Sequence, residues 1–171
     1  MILRNLAARL CYMVLNDSSS RDPSYVDTQG VTGVNINNLK LNFSLVTNGN
    51  NGNNSVSNYN GNMTQYRLCL GNGTTQPTFT DYAIESPIDM SNLTLSNQSY
   101  QSSNCKYINT VTLTNTGDSD ITFSEIVTAA YNDGCKVALT RDVISPTTIP
   151  VGALKTITVA IDFAAMATSV A

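Results

Sequence analysis

The stretch Lys155-Thr-Ile-Thr-Val-Ala-Ile-Asp-Phe163 alternates apolar and polar side chains along its whole length. Because successive side chains of a β-strand point to opposite faces, this period of two predicts a half-buried strand. Leu39–Leu45 and Thr110–Thr114 alternate in the same way, and turn-forming residues separate such stretches at roughly 8–12-residue intervals. The sequence therefore predicts an all-β fold, an antiparallel β-sandwich of the jelly-roll kind, in residues 21–171.

Residues 1–20 follow a different pattern. Leucine, alanine and arginine favour a short helix over residues 2–15, where four apolar residues recur at steps of three or four. These four are Leu3, Leu6, Leu10 and Met13. Such a stripe suits packing either on its own domain or on another chain. Our hypothesis is that residues 1–20 form a helical docking arm with the stripe as its interface.

The composition excludes several function classes. Charged residues make up 12 % of the chain, and the net charge of −3 gives no basic footprint for nucleic acid. The chain has no histidine, which excludes a Ser-His-Asp triad, a Cys-His pair and an imidazole metal site. We therefore expect neither an enzyme nor a cofactor.

The four cysteines, at positions 11, 69, 105 and 135, form no Cys-x-x-Cys pair, so no zinc site is expected. They are interpreted as buried thiols, with a disulfide between two of Cys69, Cys105 and Cys135 as the alternative. The apolar start, Met1–Leu15, lacks the features of a signal peptide and is too short to span a bilayer. We expect neither export nor membrane insertion.

Two charged residues fall among apolar neighbours on adjacent predicted strands. In Ile121–Val127, Glu125 shares its parity with the apolar positions, and in Val137–Val143 the same is true of Arg141. Asp133-Gly134 predicts a hairpin between these strands. A lone buried charge would cost several kcal/mol. We therefore predict that Glu125 and Arg141 face each other as a structural ion pair.

Other acidic residues are candidates for catalytic or metal-binding groups. Asp81, Glu85 and Asp89 could act as paired carboxylates, but their spacing matches neither a glycosidase pair nor a calcium loop. Asp118-Ser119-Asp120 is closer to a calcium motif, although turns are commonly rich in aspartate. We expect all of them to be structural.

The Asn-rich stretch at 48–62 has almost no apolar content and predicts a long exposed loop. It is interpreted as a tolerated insertion at a loop tip, or alternatively as a binding loop. In the second case Tyr59 and Tyr66 would form an aromatic platform, and the chain would be a carbohydrate- or receptor-binding module.

Two successive segments resemble virion proteins of tailed bacteriophages. The first, Leu70-Gly-Asn-Gly-Thr-Thr-Gln-Pro77, is similar to a Gly-x-Gly-Thr-Thr-x-Pro loop of these proteins. The second, Thr80-Asp-Tyr-Ala-Ile-Glu-Ser-Pro-Ile88, is similar to their Thr/Ser-Asp-Tyr-x-Leu-Glu-Ser element. The runs at 5–15, 26–30, 110–117, 121–126, 139–143 and 149–163 are similar in order and spacing. The resemblance covers most of the chain except residues 48–62.

This resemblance implies a structural component of a phage particle, in a group that includes head-fibre, capsid-associated and tail proteins. It implies no catalytic residues. The partners would be capsid, portal, neck or tail proteins, and we expect a symmetric homo-oligomer in the form of a trimer. The implied location is the virion, assembled in the cytoplasm of the host bacterium.

Overall fold

The computed structural model describes residues 26–27, 29–32, 68–103, 106–132 and 135–162. In this part of the chain the regular structure is six β-strands without a helix. The strands are β1 (Leu68–Gly71), β2 (Leu93–Ser103), β3 (Lys106–Asn115), β4 (Ile121–Asn132), β5 (Cys135–Ile149) and β6 (Leu154–Asp162). The predicted all-β class therefore holds for the described residues, none of which belongs to a helix able to span a membrane.

Several predicted features lie outside the described residues. They are the docking arm at 1–20 with its stripe (Leu3, Leu6, Leu10 and Met13), the strand at 39–45, the loop at 48–62 with Tyr59, and Tyr66.

The six strands form two antiparallel three-stranded sheets, in the orders β1-β4-β5 and β2-β3-β6. Strands β4 and β5 pair as a hairpin in which Asn132 lies opposite Cys135. Only positions 133 and 134 connect these strands, as the Asp-Gly turn signal predicts.

One cluster of buried apolar side chains draws on both sheets. It contains Leu68, Leu70, Met90, Leu93, Val111, Leu113, Phe123, Ile149 and Ile157. Val111 and Leu113 of β3 and Ile157 of β6 lie on the faces that the alternation predicts to be buried. The burial of this apolar surface is the main stabilising contribution to the fold.

The β1-β4-β5 sheet is also covered on its second face. There Cys69, Ile84, Val127 and Ala138 form a separate apolar cluster, and the four residues of β1 are all buried. The cover comes from segment 72–90, in which Ile84 packs on this face. Near its end the segment pairs antiparallel beside β1 at Pro87, through Asn72 N to Ser86 O (2.7 Å) and Ile88 N to Leu70 O (3.1 Å).

Two register shifts in the β4–β5 pair change the predicted faces. Phe123 pairs with Thr147 and Glu125 with Val143, so β5 has two extra residues at this point. Pro146 lies among them, where its missing N–H breaks no regular ladder bond, and β5 continues to Ile149 rather than ending near residue 143. Phe123 therefore packs in the cluster shared by the two sheets, while Val127 packs on the opposite face of its sheet.

Asn115 joins the ends of the two sheets. Its fully buried side chain donates from Nδ2 to Ser119 O (2.8 Å) and to Ile149 O (2.9 Å), and its Oδ1 accepts from Gly117 N (3.0 Å). The residue lies at the end of β3, whereas Ile149 ends β5 in the other sheet. One amide group thus links the β3–β4 turn to the end of β5.

Candidate functional site

A buried arginine surrounded by three carboxylates is the most polar feature inside the described structure. The Arg141 side chain is 3 % exposed and lies on the face of the β1-β4-β5 sheet that segment 72–90 covers. Its Nε donates to Glu125 Oε1 at 2.7 Å, its Nη1 to Asp81 Oδ2 at 2.7 Å and its Nη2 to Glu85 Oε2 at 2.8 Å. Each nitrogen of the guanidinium therefore holds a different carboxylate, and we call these four residues the Arg141 cluster.

Glu125 is the fully buried acid of the Arg141 cluster. Its Oε1 accepts from Arg141 Nε and from the backbone N of Glu85 at 2.8 Å. Its Oε2 accepts from the backbone N of Gly73 at 3.1 Å and of Ser86 at 3.2 Å. Two donors thus satisfy each oxygen, which offsets much of the cost of burying the charge.

A threonine orients each of the other two acids. Thr75 donates to Glu85 from its backbone N (3.0 Å) and its Oγ1 (2.7 Å). Thr78 donates to Asp81 from its backbone N (3.0 Å) and its Oγ1 (2.6 Å). Hydrogen bonds within the segment between β1 and Glu85 therefore hold the two carboxylates that bind Arg141.

Two glycines make room for the buried carboxylate. A Cβ on Gly71 would lie 2.5 Å from Glu125 Oε2 and 2.7 Å from the carbonyl oxygen of Ser86, and a Cβ on Gly73 would lie 2.5 Å from the same Oε2. Real Cβ atoms do not approach other atoms this closely. The Gly-x-Gly pattern of this loop thus has a steric cause in the Arg141 cluster.

The environment favours the ionised forms of the two outer acids. Hydrogen bonds from the Thr75 hydroxyl and backbone, helped by the charge of Arg141, hold the pKa of Glu85 below its usual value. Desolvation acts to raise the pKa of Asp81, but hydrogen bonds from Thr78 and Arg141 outweigh it, so this pKa is also lowered. The pKa of Arg141 is raised, because the carboxylates outweigh its desolvation.

A small open cleft of about 310 Å³ lies over the outer part of the cluster. It is lined by Thr75, Asp81, Tyr82, Ala83, Ile84, Glu85 and Arg141. Tyr82 is 43 % exposed at its edge. The cleft is at the lower limit of volume for sites that enclose a small molecule, and its charged groups already bind one another.

A general acid at neutral pH needs a raised pKa, whereas the pKa values of Asp81 and Glu85 are lowered. Their oxygens are turned toward Arg141 and toward threonine donors. The arrangement thus suits a structural clamp that fastens segment 72–90 to the sheet.

Sequence reasoning found part of this site. The predicted partners Glu125 and Arg141 do meet. Strand parity predicts that they share a face with Phe123, whereas the register shifts place both on the opposite face. It missed that Asp81 and Glu85 bind the same arginine. The available signal was the guanidinium itself, which has five N–H donors and is not satisfied by one carboxylate.

Two of the remaining acidic candidates accept backbone hydrogen bonds. Asp89 Oδ1 accepts from Ser91 N at 2.8 Å, and Asp120 Oδ1 accepts from Val151 N at 3.0 Å. Cys69 is buried and forms no disulfide, so the alternative disulfide does not involve it. Among the described residues no group of three or more acids or cysteines is placed to hold a metal ion.

No protein-family model, curated protein or solved structure matches this chain.

Proposed function

We propose that this chain is a structural subunit of a bacteriophage particle, attached to the head, neck or tail and acting through protein–protein contacts. One observation carries the proposal. The segment at 70–88, on which the resemblance to phage virion proteins rests, uses its glycines, threonines and acids to bind Glu125 and Arg141. A motif with this use maintains a shape, as an assembly subunit requires.

The proposal includes a finer description of the fold. The shared core of the two sheets supports an antiparallel sandwich, with residues 1–20 as an arm that docks on a neighbouring subunit through Leu3, Leu6, Leu10 and Met13. The particle would be assembled in the host cytoplasm. The exposed threonine pairs Thr110–Thr158 (3.3 Å) and Thr112–Thr156 (3.1 Å) give the middle of β3 and β6 an uncharged surface suited to contact between copies.

The proposal assigns no catalytic role. A carboxylate hydrolase would need Asp81 or Glu85 to face a substrate, and both bind Arg141 instead. We expect no turnover on polysaccharides. Activity that is lost in Asp81→Asn and retained in the exposed control Asp118→Asn would contradict this.

Particle membership is tested directly. Phage particles from a culture carrying the gene are banded in a density gradient and analysed by mass spectrometry. The proposal expects the chain in the banded particles at a constant ratio to the capsid protein. Its absence from intact, infectious particles would overturn the proposal.

The docking arm is tested by comparing the full chain with a chain that lacks residues 1–20. Light scattering of the full chain should show an oligomer, with a trimer as the expected form. The truncated chain should attach more weakly to particles. A second variant keeps the full length of the chain and replaces Leu3, Leu6, Leu10 and Met13 by serine, and the same effects are expected. If neither change alters oligomeric state or attachment, residues 1–20 are not a docking arm.

A carbohydrate- or receptor-binding module is the second candidate. The observation in its favour is exposed Tyr82 beside polar groups of the cleft, since aromatic faces and carboxylates commonly bind sugars. A glycan array with Tyr82→Ala and Tyr59→Ala separates the two candidates. Binding lost in either variant would favour the module, and absence of binding by the full chain would favour the structural subunit.

A further inference from the structure

The Asn72-Gly73 step brings together a reactive sequence and a restraining contact. In an Asn-Gly pair the backbone nitrogen of the glycine can attack Cγ of the asparagine side chain, since glycine has no side chain to hinder the approach. A C–N bond forms, the side-chain amide leaves as ammonia, and the proton from the backbone nitrogen goes to the ammonia. Water then opens the succinimide ring to give aspartate or isoaspartate.

The nucleophile of this reaction is held by the Arg141 cluster. Gly73 N donates to Glu125 Oε2 at 3.1 Å in a buried position, while the side chain of Asn72 is exposed. The preceding amide is fixed as well, because Asn72 N donates to Ser86 O at 2.7 Å. Both peptide planes around Asn72 are therefore prevented from turning toward the attack geometry.

The charge of Glu125 adds to this restraint. Attack requires the backbone nitrogen of Gly73 to lose its proton, and a carboxylate within hydrogen-bond distance disfavours a second negative charge. We propose that Asn72 is a conditional deamidation site, kept unreactive while Gly73 is bound to Glu125 and released when the Arg141 cluster opens.

Reaction at this site would be hard to reverse. Isoaspartate lengthens the backbone by one carbon between Gly71 and Gly73, where a single added Cβ already lies 2.5 Å from Glu125 Oε2. The chain that carries isoaspartate cannot rebuild the same loop, so this product would turn a transient opening into a permanent one.

The test uses the full chain at mildly alkaline pH and 37 °C, with tryptic peptides analysed by mass spectrometry. Asn72 falls in the peptide 68–106, and three other Asn-Gly steps, at 48, 51 and 60, fall in the peptide 41–67. In denaturant all four asparagines should react at similar rates. Without denaturant Asn72 should react at least about tenfold more slowly than it does in denaturant. Its rate should follow the small fraction of molecules in which the loop is locally open.

Two variants separate local from global protection. Glu125→Gln keeps the size of the side chain but weakens its hold on Gly73, so the reaction of Asn72 should approach its denatured rate. The matched control is Thr128→Val, which removes a buried hydroxyl pair elsewhere on β4 and should leave Asn72 protected. Equal acceleration in both variants, or an unprotected Asn72 in the native wild type, would overturn the proposal.

If Glu125→Gln does not fold, hydrogen exchange of the Gly73 amide in the wild type serves instead. The proposal expects the protection of that amide and the slowing of Asn72 deamidation to fall together as denaturant is added. Deamidation that stays slow after the Gly73 amide exchanges freely would contradict it.

Discussion

Gly71 pairs with Glu125 across β1 and β4, and the missing side chain of the glycine leaves the space that the glutamate carboxylate occupies. The relationship connects a turn-like sequence motif with a charged residue 54 positions later in the chain. It also explains why segment 72–90 can approach the sheet closely enough for backbone N–H groups to reach Glu125.

Gly71→Ala should destabilise the protein by about 1–3 kcal/mol, because the new methyl group would overlap Glu125 Oε2 and the backbone oxygen of Ser86. Urea denaturation measures the change in free energy of unfolding. Asn72→Ala is the control, since that side chain is exposed and lies between the two glycines. A cost for Gly71→Ala no larger than for the control would show that the loop can move away from the sheet.

Glu125→Ala and Arg141→Ala should each cost about 3–5 kcal/mol, and the double variant should cost less than their sum. Arg141→Ala leaves buried Glu125 without its cation and the carboxylates facing one another. Glu125→Ala leaves Arg141 Nε and three backbone N–H groups without their acceptor, although Asp81 and Glu85 still bind the guanidinium. Additive free energies of unfolding would contradict the coupling. Arg141→Lys should recover little of the stability, because one ammonium cannot reach three carboxylates as a guanidinium does.

Stability should fall with decreasing pH as Asp81 and Glu85 take up protons. The pKa values of both are lower in the folded state than their ordinary values of 3.8 and 4.5. The unfolded chain therefore binds more protons below about pH 4.5, and the stabilisation present above that pH is lost as pH falls through the folded values. The urea midpoint between pH 3 and 7 should be less pH-dependent in Asp81→Asn/Glu85→Gln, while the exposed, uncharged control Ser145→Ala keeps the wild-type profile.

Thr128 and Thr140 form a buried hydroxyl pair at 2.6 Å between β4 and β5. Thr128→Val alone should cost about 1–3 kcal/mol, because it leaves the other hydroxyl buried without a partner, whereas Thr128→Val/Thr140→Val should be nearly neutral. The exposed pair Thr122 and Thr148, at 2.8 Å, is the control and should lose no more than about 0.5 kcal/mol on the same changes. A double variant as unstable as the single one would refute the explanation.

The parts of the fold that the sequence predicts well are those with one buried face. Strands β3 and β6 bury Val111, Leu113 and Ile157 on one side and expose threonines on the other, so their alternation is directly readable. In β1 the run Leu68-Cys69-Leu70 is apolar throughout and both of its faces are buried, because segment 72–90 covers the second face of that sheet. Burial by a distant, irregular segment leaves no periodic signal.

The ion pair was predictable because burying one charge calls for another nearby. The two other acids of the Arg141 cluster were not predictable as its members, because Asp81 and Glu85 reach Arg141 from an irregular segment 56–60 positions away. The register shifts in β4 and β5 were also hidden. They depend on where Pro146 falls relative to the partner strand, which strand periodicity alone does not specify.

The Arg141 cluster also implies an order of folding. Glu125 and Arg141 are 16 positions apart on a hairpin with a two-residue connection, whereas Asp81 lies 60 positions from Arg141. Closing the longer loop costs more chain entropy, so we expect the hairpin to form first and to present a carboxylate–guanidinium pair to which the incoming segment binds. Substitutions at Thr75 or Thr78 should then mainly speed unfolding, while those on the hairpin should slow folding, as stopped-flow kinetics can measure.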